Sequence, residues 1–260
     1  MFNEQKVETR FLWRATHNRW IFASYIWNAT QDEAFLASSQ GEPNLVEIAP
    51  GRKHRIPSAD DCMACHGARR PRPLGFNALQ LSPDRDPNAI HAEAIEPGML
   101  TLSTLVDERR LSTSRTAGAV SAPRITTGSP RPRAALGYLF ANCGGCHDGT
   151  GEIAALGPVL KQSDLIRDGD AVARGLVGLR TKWQAPGAAE GTTTLVDSEL
   201  PNRSALLVRM RSRSPSSQMP PLGTVLRDHL AVETLTRWIH DDLGSTRAAL
   251  AHSLQASHVR

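Results

Sequence analysis

The sequence predicts a mainly α fold, in which a helical C-terminal domain follows a loop-rich middle segment and a small N-terminal β hairpin or sheet. Three observations predict it. Apolar residues recur at helical spacing at Leu136, Leu139, Phe140 and Cys143, and again at Val232, Leu235, Trp238 and Ile239. Residues 6–28 are instead dense in β-branched and aromatic types with partial period-two alternation. The chain of 260 residues also carries 20 Gly and 17 Pro, too many to leave long elements uninterrupted in its middle. The expected organisation is a β segment at 1–48, a cofactor-bearing segment at 49–110, a linker at 111–132, a helical domain at 133–245 and a tail at 246–260.

Taken in order, residues 6–28 read as two strands with a turn near Thr16–Arg19. Phe11 and Trp13 share one face, and Trp20, Phe22 and Ile26 share one on the second strand. These aromatics either dock a partner or pack a β layer, and packing is the simpler use because an isolated hairpin is only marginally stable. Gln31–Ser39 reads as the start of a short helix. Residues 41–61 hold Pro43, Pro50 and Pro57 with a basic cluster, Arg52-Lys53-His54-Arg55, and read as a connector. Arg69-Arg70-Pro71-Arg72-Pro73 excludes a long helix. Leu74–Ser82 is apolar enough to cover a flat cofactor, and a turn-rich stretch, Pro83–Pro87, follows. Leu111–Arg133 has no hydrophobic period and reads as a linker. From Pro132 a helix leads into Cys143, with proline suited to its first turn. Gly137 on this helix and Trp238 on the last one are the pair expected to let the two cross closely.

Two stretches carry the chemistry: Cys62-Met63-Ala64-Cys65-His66 and Cys143-Gly144-Gly145-Cys146-His147. Each reads as a c-type haem attachment site, in which two thiols two residues apart reach the two vinyl groups of one macrocycle and the next residue falls beneath the iron. His66 and His147 then supply the proximal imidazole nitrogens. The other ring nitrogen of such a ligand normally donates to an acceptor, and a carbonyl of Gly157-Pro158 is the candidate for His147. With 9 histidines in 260 residues, the chance that two given CxxC pairs are both followed by histidine is about one in a thousand. All four cysteines are consumed by the two motifs. A zinc ribbon would hold its halves much closer in sequence, and no βαβ pattern surrounds either pair to make a thioredoxin-like dithiol.

The distal ligands are read from loops. Ser217-Gln218-Met219-Pro220-Pro221-Leu222-Gly223 holds a thioether in a proline-stiffened loop before the closing helix, so Met219 is the candidate for the second iron. Met210 is the alternative, but it lies in the helical-looking segment Ala205–Arg211 that ought to pack. For the first iron His91 and Met99 are both candidates, and the other possibilities are an open sixth position or a ligand from another segment.

The formal charge of +4 falls to about +2 once two ferric haems, each with two propionates, are counted. That excess argues against a nucleic-acid partner, and some of the arginines suit propionate pairing instead. No run approaches the roughly 18 apolar residues of a transmembrane helix.

With a helix, CxxCH, Gly-Pro, Gln-Met-Pro-Pro and a closing helix in that order, residues 134–243 resemble a class I cytochrome c domain. ETRFLWR, YIWNATQDEA, IPSADDCMACH and LGFNALQLS resemble the dihaem region of a group of bacterial secreted dihaem cytochromes, some fused to or associated with quinoprotein-type dehydrogenases. The resemblance implies two covalent haem c groups and electron transfer from a dehydrogenase or other donor, through redox partner proteins, to a downstream acceptor. It also implies a periplasmic or secreted location, although Met1–Arg10 has no export-signal pattern. The alternative is a dihaem redox enzyme of peroxidase type with an open iron at the first haem.

Overall fold

The computed structural model describes residues 5–17, 19–66, 74–92, 94–111, 122–150 and 156–244. The Arg69–Pro73 stretch, residues 112–121 of the expected linker and the tail lie outside these residues. The chain divides into two compact units: residues 1–74 with 213–227, and residues 75–212 with 228–260.

The first unit corrects the mainly α expectation. Across the structure 32% of residues are helical and 17% lie in strands, so the fold is mixed α/β. Strands β1 (Glu8–Thr16) and β2 (Arg19–Trp27) pair antiparallel, and β3 (Ala34–Leu36) adds to the far edge of β2. The segment read as a helix start is therefore this third strand: Ala34-Phe35-Leu36 is too short to nucleate a helix but finds a ready edge on β2. A second sheet follows where a connector was expected, made of β4 (Glu42–Ala49) and β5 (Arg52–Ile56). Its hairpin closes at Pro50-Gly51, with Gly51 at φ +67° between the paired residues Ala49 and Arg52. Proline presets the first turn position and only glycine takes the second without strain. Helix α1 (Ala59–His66) completes the unit, and its N-terminus is closed reciprocally. The Asp61 amide donates to Ser58 Oγ and the Ser58 amide to Asp61 Oδ2, both at 3.0 Å.

The second unit is helical. It contains α2 (Leu102–Asp107), α3 (Pro130–Cys143), α4 (Gln162–Leu176), α5 (Ala205–Arg211) and α6 (His229–Trp238), the last running into a π turn over Ile239–Leu243. Leu136, Leu139, Leu165, Leu207, Leu235, Trp238 and Ile239 are almost wholly buried and form one continuous core. The two periodic stretches predicted as helices are α3 and α6, and they pack on one another and on α4 and α5. The close crossing is not made by Gly137. A Cβ built there would touch only Ile125 Cδ1, at 4.0 Å, whereas Ala135 and Leu139 lie on the buried face. Gly137 is two residues from Ala135, and two residues span about 200° of helix, which turns it away from that seam. Met210 is buried in the core, as a packing residue of α5. Among the described residues no helix is long and apolar enough to cross a membrane.

Candidate functional site

Each unit carries one of the two motifs. In the first, the whole of Cys62–His66 is helical, because Met63 and Ala64 are good helix formers. Cys62, Cys65 and His66 stand at i, i+3 and i+4, so one face presents both thiols and the imidazole, while Met63 and Ala64 are exposed. That face opens on a cavity of about 450 Å³ whose wall includes Cys62, Cys65 and His66 together with Arg10, Leu12 and Phe22 from the hairpin. The opposite wall comes from the loop at 213–227, through Gln218, Pro221, Leu222, Gly223, Thr224 and Val225. The Phe22 ring lies against the His66 imidazole, with centroids 5.6 Å apart. Burial pushes the Cys62 thiol above its usual pKa, with Asp61 and Glu8 acting in the same direction and Arg10 opposing.

In the second unit the motif lies at the end of a helix. Cys143 is the last residue of α3, and Gly144-Gly145 breaks the helix into a turn. The His147 amide donates to the Cys143 carbonyl at 2.8 Å, and the Leu160 amide donates to the His147 carbonyl at 2.7 Å. The imidazole is packed against Gly157: a Cβ there would stand 2.7 Å from Cε1 and 2.8 Å from Nδ1. Among the described residues His147 Nδ1 is buried without a hydrogen-bond partner, so the Gly157-Pro158 carbonyl expected to accept from it does not do so. Burial, reinforced by the Arg209 charge, holds this imidazole below its usual pKa and therefore neutral, the form that ligates a metal. Burial pushes the Cys143 thiol up to about 12, with Cys146 adding to the effect. Such a thiol is not a free thiolate nucleophile at neutral pH.

Arg209 was not singled out by the sequence. It lies on α5 with its guanidinium 5.4 Å from the centre of the Trp183 ring, and burial lowers its own pKa. An arginine inside LLVRMR carries no local signal of this role, because only the fold brings Trp183, Arg209 and His147 into one unit.

The distal candidates distribute unevenly. Met219 is half-buried on the loop that walls the first motif's cavity. His91 and Met99 both belong to the second unit, whereas the first motif belongs to the first. His91 Nε2 is 2.9 Å from Asp228 Oδ2, which also accepts from the Tyr138 hydroxyl at 3.0 Å. Met99 is exposed at 37%, with its sulfur 3.5 Å from the Glu96 amide.

The four cysteines form no disulfide and are split two and two between the units. Among the described residues no three His, Cys, Asp or Glu side chains converge as a metal-ion site. A c-type haem fits the donor set at both motifs: paired thiols, a neighbouring imidazole, and at the second motif a buried ring nitrogen left without a partner. No protein-family model, curated protein or solved structure matches this chain.

Proposed function

We propose that the chain is a dihaem c-type cytochrome that carries electrons between redox partner proteins and acts outside the cytoplasmic membrane. The observation that carries the reading is the convergence of Cys62, Cys65 and His66 on one wall of a cavity within the 300–1,000 Å³ range of cofactor sites. Cys62 and Cys65 would hold one haem with His66 as its axial ligand, and Cys143, Cys146 and His147 would hold the other. Haem supplies the one-electron couple when bound. The protein's own residues do the rest: α1 fixes two thiols and an imidazole on one face, and Gly157 and the helical core seat the second imidazole.

Met219 is the candidate methionine ligand. Its order in the chain, after the second motif and before the closing helix, favours the second iron. The packing of its loop in the first unit is a specific observation in favour of the first iron instead.

One experiment addresses both points. Cys62→Ser with Cys65→Ser, and Cys143→Ser with Cys146→Ser, should each halve the covalent haem measured by pyridine haemochrome in cells competent for haem attachment. Full haem content in either double variant defeats the proposal. Low-temperature electron paramagnetic resonance of the two single-haem proteins, each with and without Met219→Ala, then shows which iron turns high-spin when the thioether is removed. A high-spin iron already present in the parent protein would support an open coordination site and the peroxidase-type alternative.

A further inference from the structure

Leu12 and Phe22 of the β1–β2 hairpin wall the cavity of the first motif, and Arg14 and Trp20 continue the same face past that cavity toward the turn. In the strand register Leu12 faces Phe22 and Arg14 faces Trp20, so these four side chains share one side of the sheet, while Phe11 and Trp13 occupy the other. Trp20 stacks on Phe22, with centroids 6.5 Å apart and planes 13° from parallel, and Phe22 in turn lies against His66. The three rings make a row from the imidazole of the first motif to the turn of the hairpin.

The hairpin is basic, and two of its cations, Arg14 and Arg19, flank that turn. Residues 6–27 contain Lys6, Arg10, Arg14 and Arg19 against a single carboxylate, Glu8, and that carboxylate is engaged by Arg10 and His54. Arg14 is exposed, and its guanidinium is anchored by the His17 carbonyl at 3.0 and 3.3 Å. A fixed cation beside an aromatic ring is the composition of a docking surface, since charge steers encounter and a rigid ring gives contact area at low entropic cost.

We infer that the turn end of this hairpin face, at Arg14 and Trp20 beyond the cavity, is where an acidic redox partner protein docks to exchange electrons with the first haem. The inference rests on the dihaem reading for the electron-transfer step, but the docking of an anionic surface does not depend on it.

The test uses the full chain and two anionic probes. Hexacyanochromate(III), which is paramagnetic and redox-inert, should broaden the backbone amide resonances of residues 10–22 selectively, and Arg14→Glu or Arg19→Glu should abolish the effect. Oxidation of the dithionite-reduced protein by ferricyanide should slow about tenfold in the same variants and lose most of its salt dependence. Oxidation by a cationic cobalt(III) complex should not slow. Broadening confined to another surface, or unchanged ferricyanide rates in variants that carry both haems, would overturn the inference. Selective broadening in a protein with no haem on Cys62 and Cys65 would leave the docking surface standing and defeat the electron-carrier reading instead.

Discussion

The two CxxCH motifs are identical in spacing and opposite in setting. The first is written into a short helix with no buried residue, facing a cavity between a hairpin and a loop. The second follows a helix with five buried residues, and its histidine is wedged against Gly157 at the edge of a helical core. Two residues make the local difference: Met63-Ala64 continues the helix and Gly144-Gly145 ends it. The surroundings make the rest. The packing around His147 fixes the plane of its ring, whereas His66 stands on an open helix face with the Phe22 ring against it.

That contrast can be broken by mutation. The largest effect is expected from Leu235→Ala in the core of the second unit, which should cost about 2–5 kcal/mol in urea unfolding. It should disturb the surroundings of Cys143–His147 while leaving the resonances of the first hairpin in place. If both units lost structure together, their separate packing would be refuted.

Gly157→Ala comes next. Its Cβ would stand 2.7–2.8 Å from the His147 ring, and overpacking of this kind costs about 1–3 kcal/mol. On the dihaem proposal, the expected sign is a broadened or shifted low-spin signal from the haem on Cys143 and Cys146 alone. An unaltered spectrum would show that the ring has room to move.

The third effect is a pH dependence. Burial opposes the ionisation of Asp228, but the Ala231 amide, His91 and Tyr138 outweigh it and hold the carboxyl below its usual pKa. A carboxyl depressed on folding stabilises the native state above its unfolded pKa of about 4, and that stability is lost as the pH falls through the folded value. Asp228 also caps α6 through Oδ1. Asp228→Asn keeps a competent cap and should flatten the loss between pH 6 and pH 3, whereas Asp228→Ala should cost about 1 kcal/mol at neutral pH. Urea midpoints at the two pH values decide between them. Asp61 is depressed likewise, chiefly by the Ser58 amide, so the first unit should weaken in acid in the same direction.

The smallest effect is expected at the outer face of the hairpin. Trp13 is 52% exposed and Phe11 46% exposed. Trp13→Ser should change stability by no more than about 0.5 kcal/mol, in contrast to Leu235→Ala. A loss of several kcal/mol would mean that this face is packed in solution.

Much of the second unit was legible because its signals are local and periodic. Leu136 and Leu139 at helical spacing become the buried face of α3, with Phe140 and Cys143 partly buried beside them, and Leu235 and Trp238 that of α6, with Ile239 following. The β content was understated because two strands lack an alternating apolar pattern. Arg52-Lys53-His54-Arg55 reads as a charged surface, and only the Pro50-Gly51 turn marks it as half of a hairpin. Ala34-Phe35-Leu36 has no strand signal of its own, and its conformation comes from the edge of β2.

The candidate site divides in the same way. The sequence by itself determined the motifs: four cysteines and two histidines at fixed spacing, chemistry that depends on residue type and a few bonds of chain. It also determined where helix α3 stops, since glycine propensity is a local property. Only the tertiary structure decided what surrounds each imidazole. Phe22 on His66, Gly157 on His147, and the membership of Met219's loop in the first unit all join residues distant in sequence. Such contacts are selected by burial and shape across the whole fold, and no local spacing encodes them.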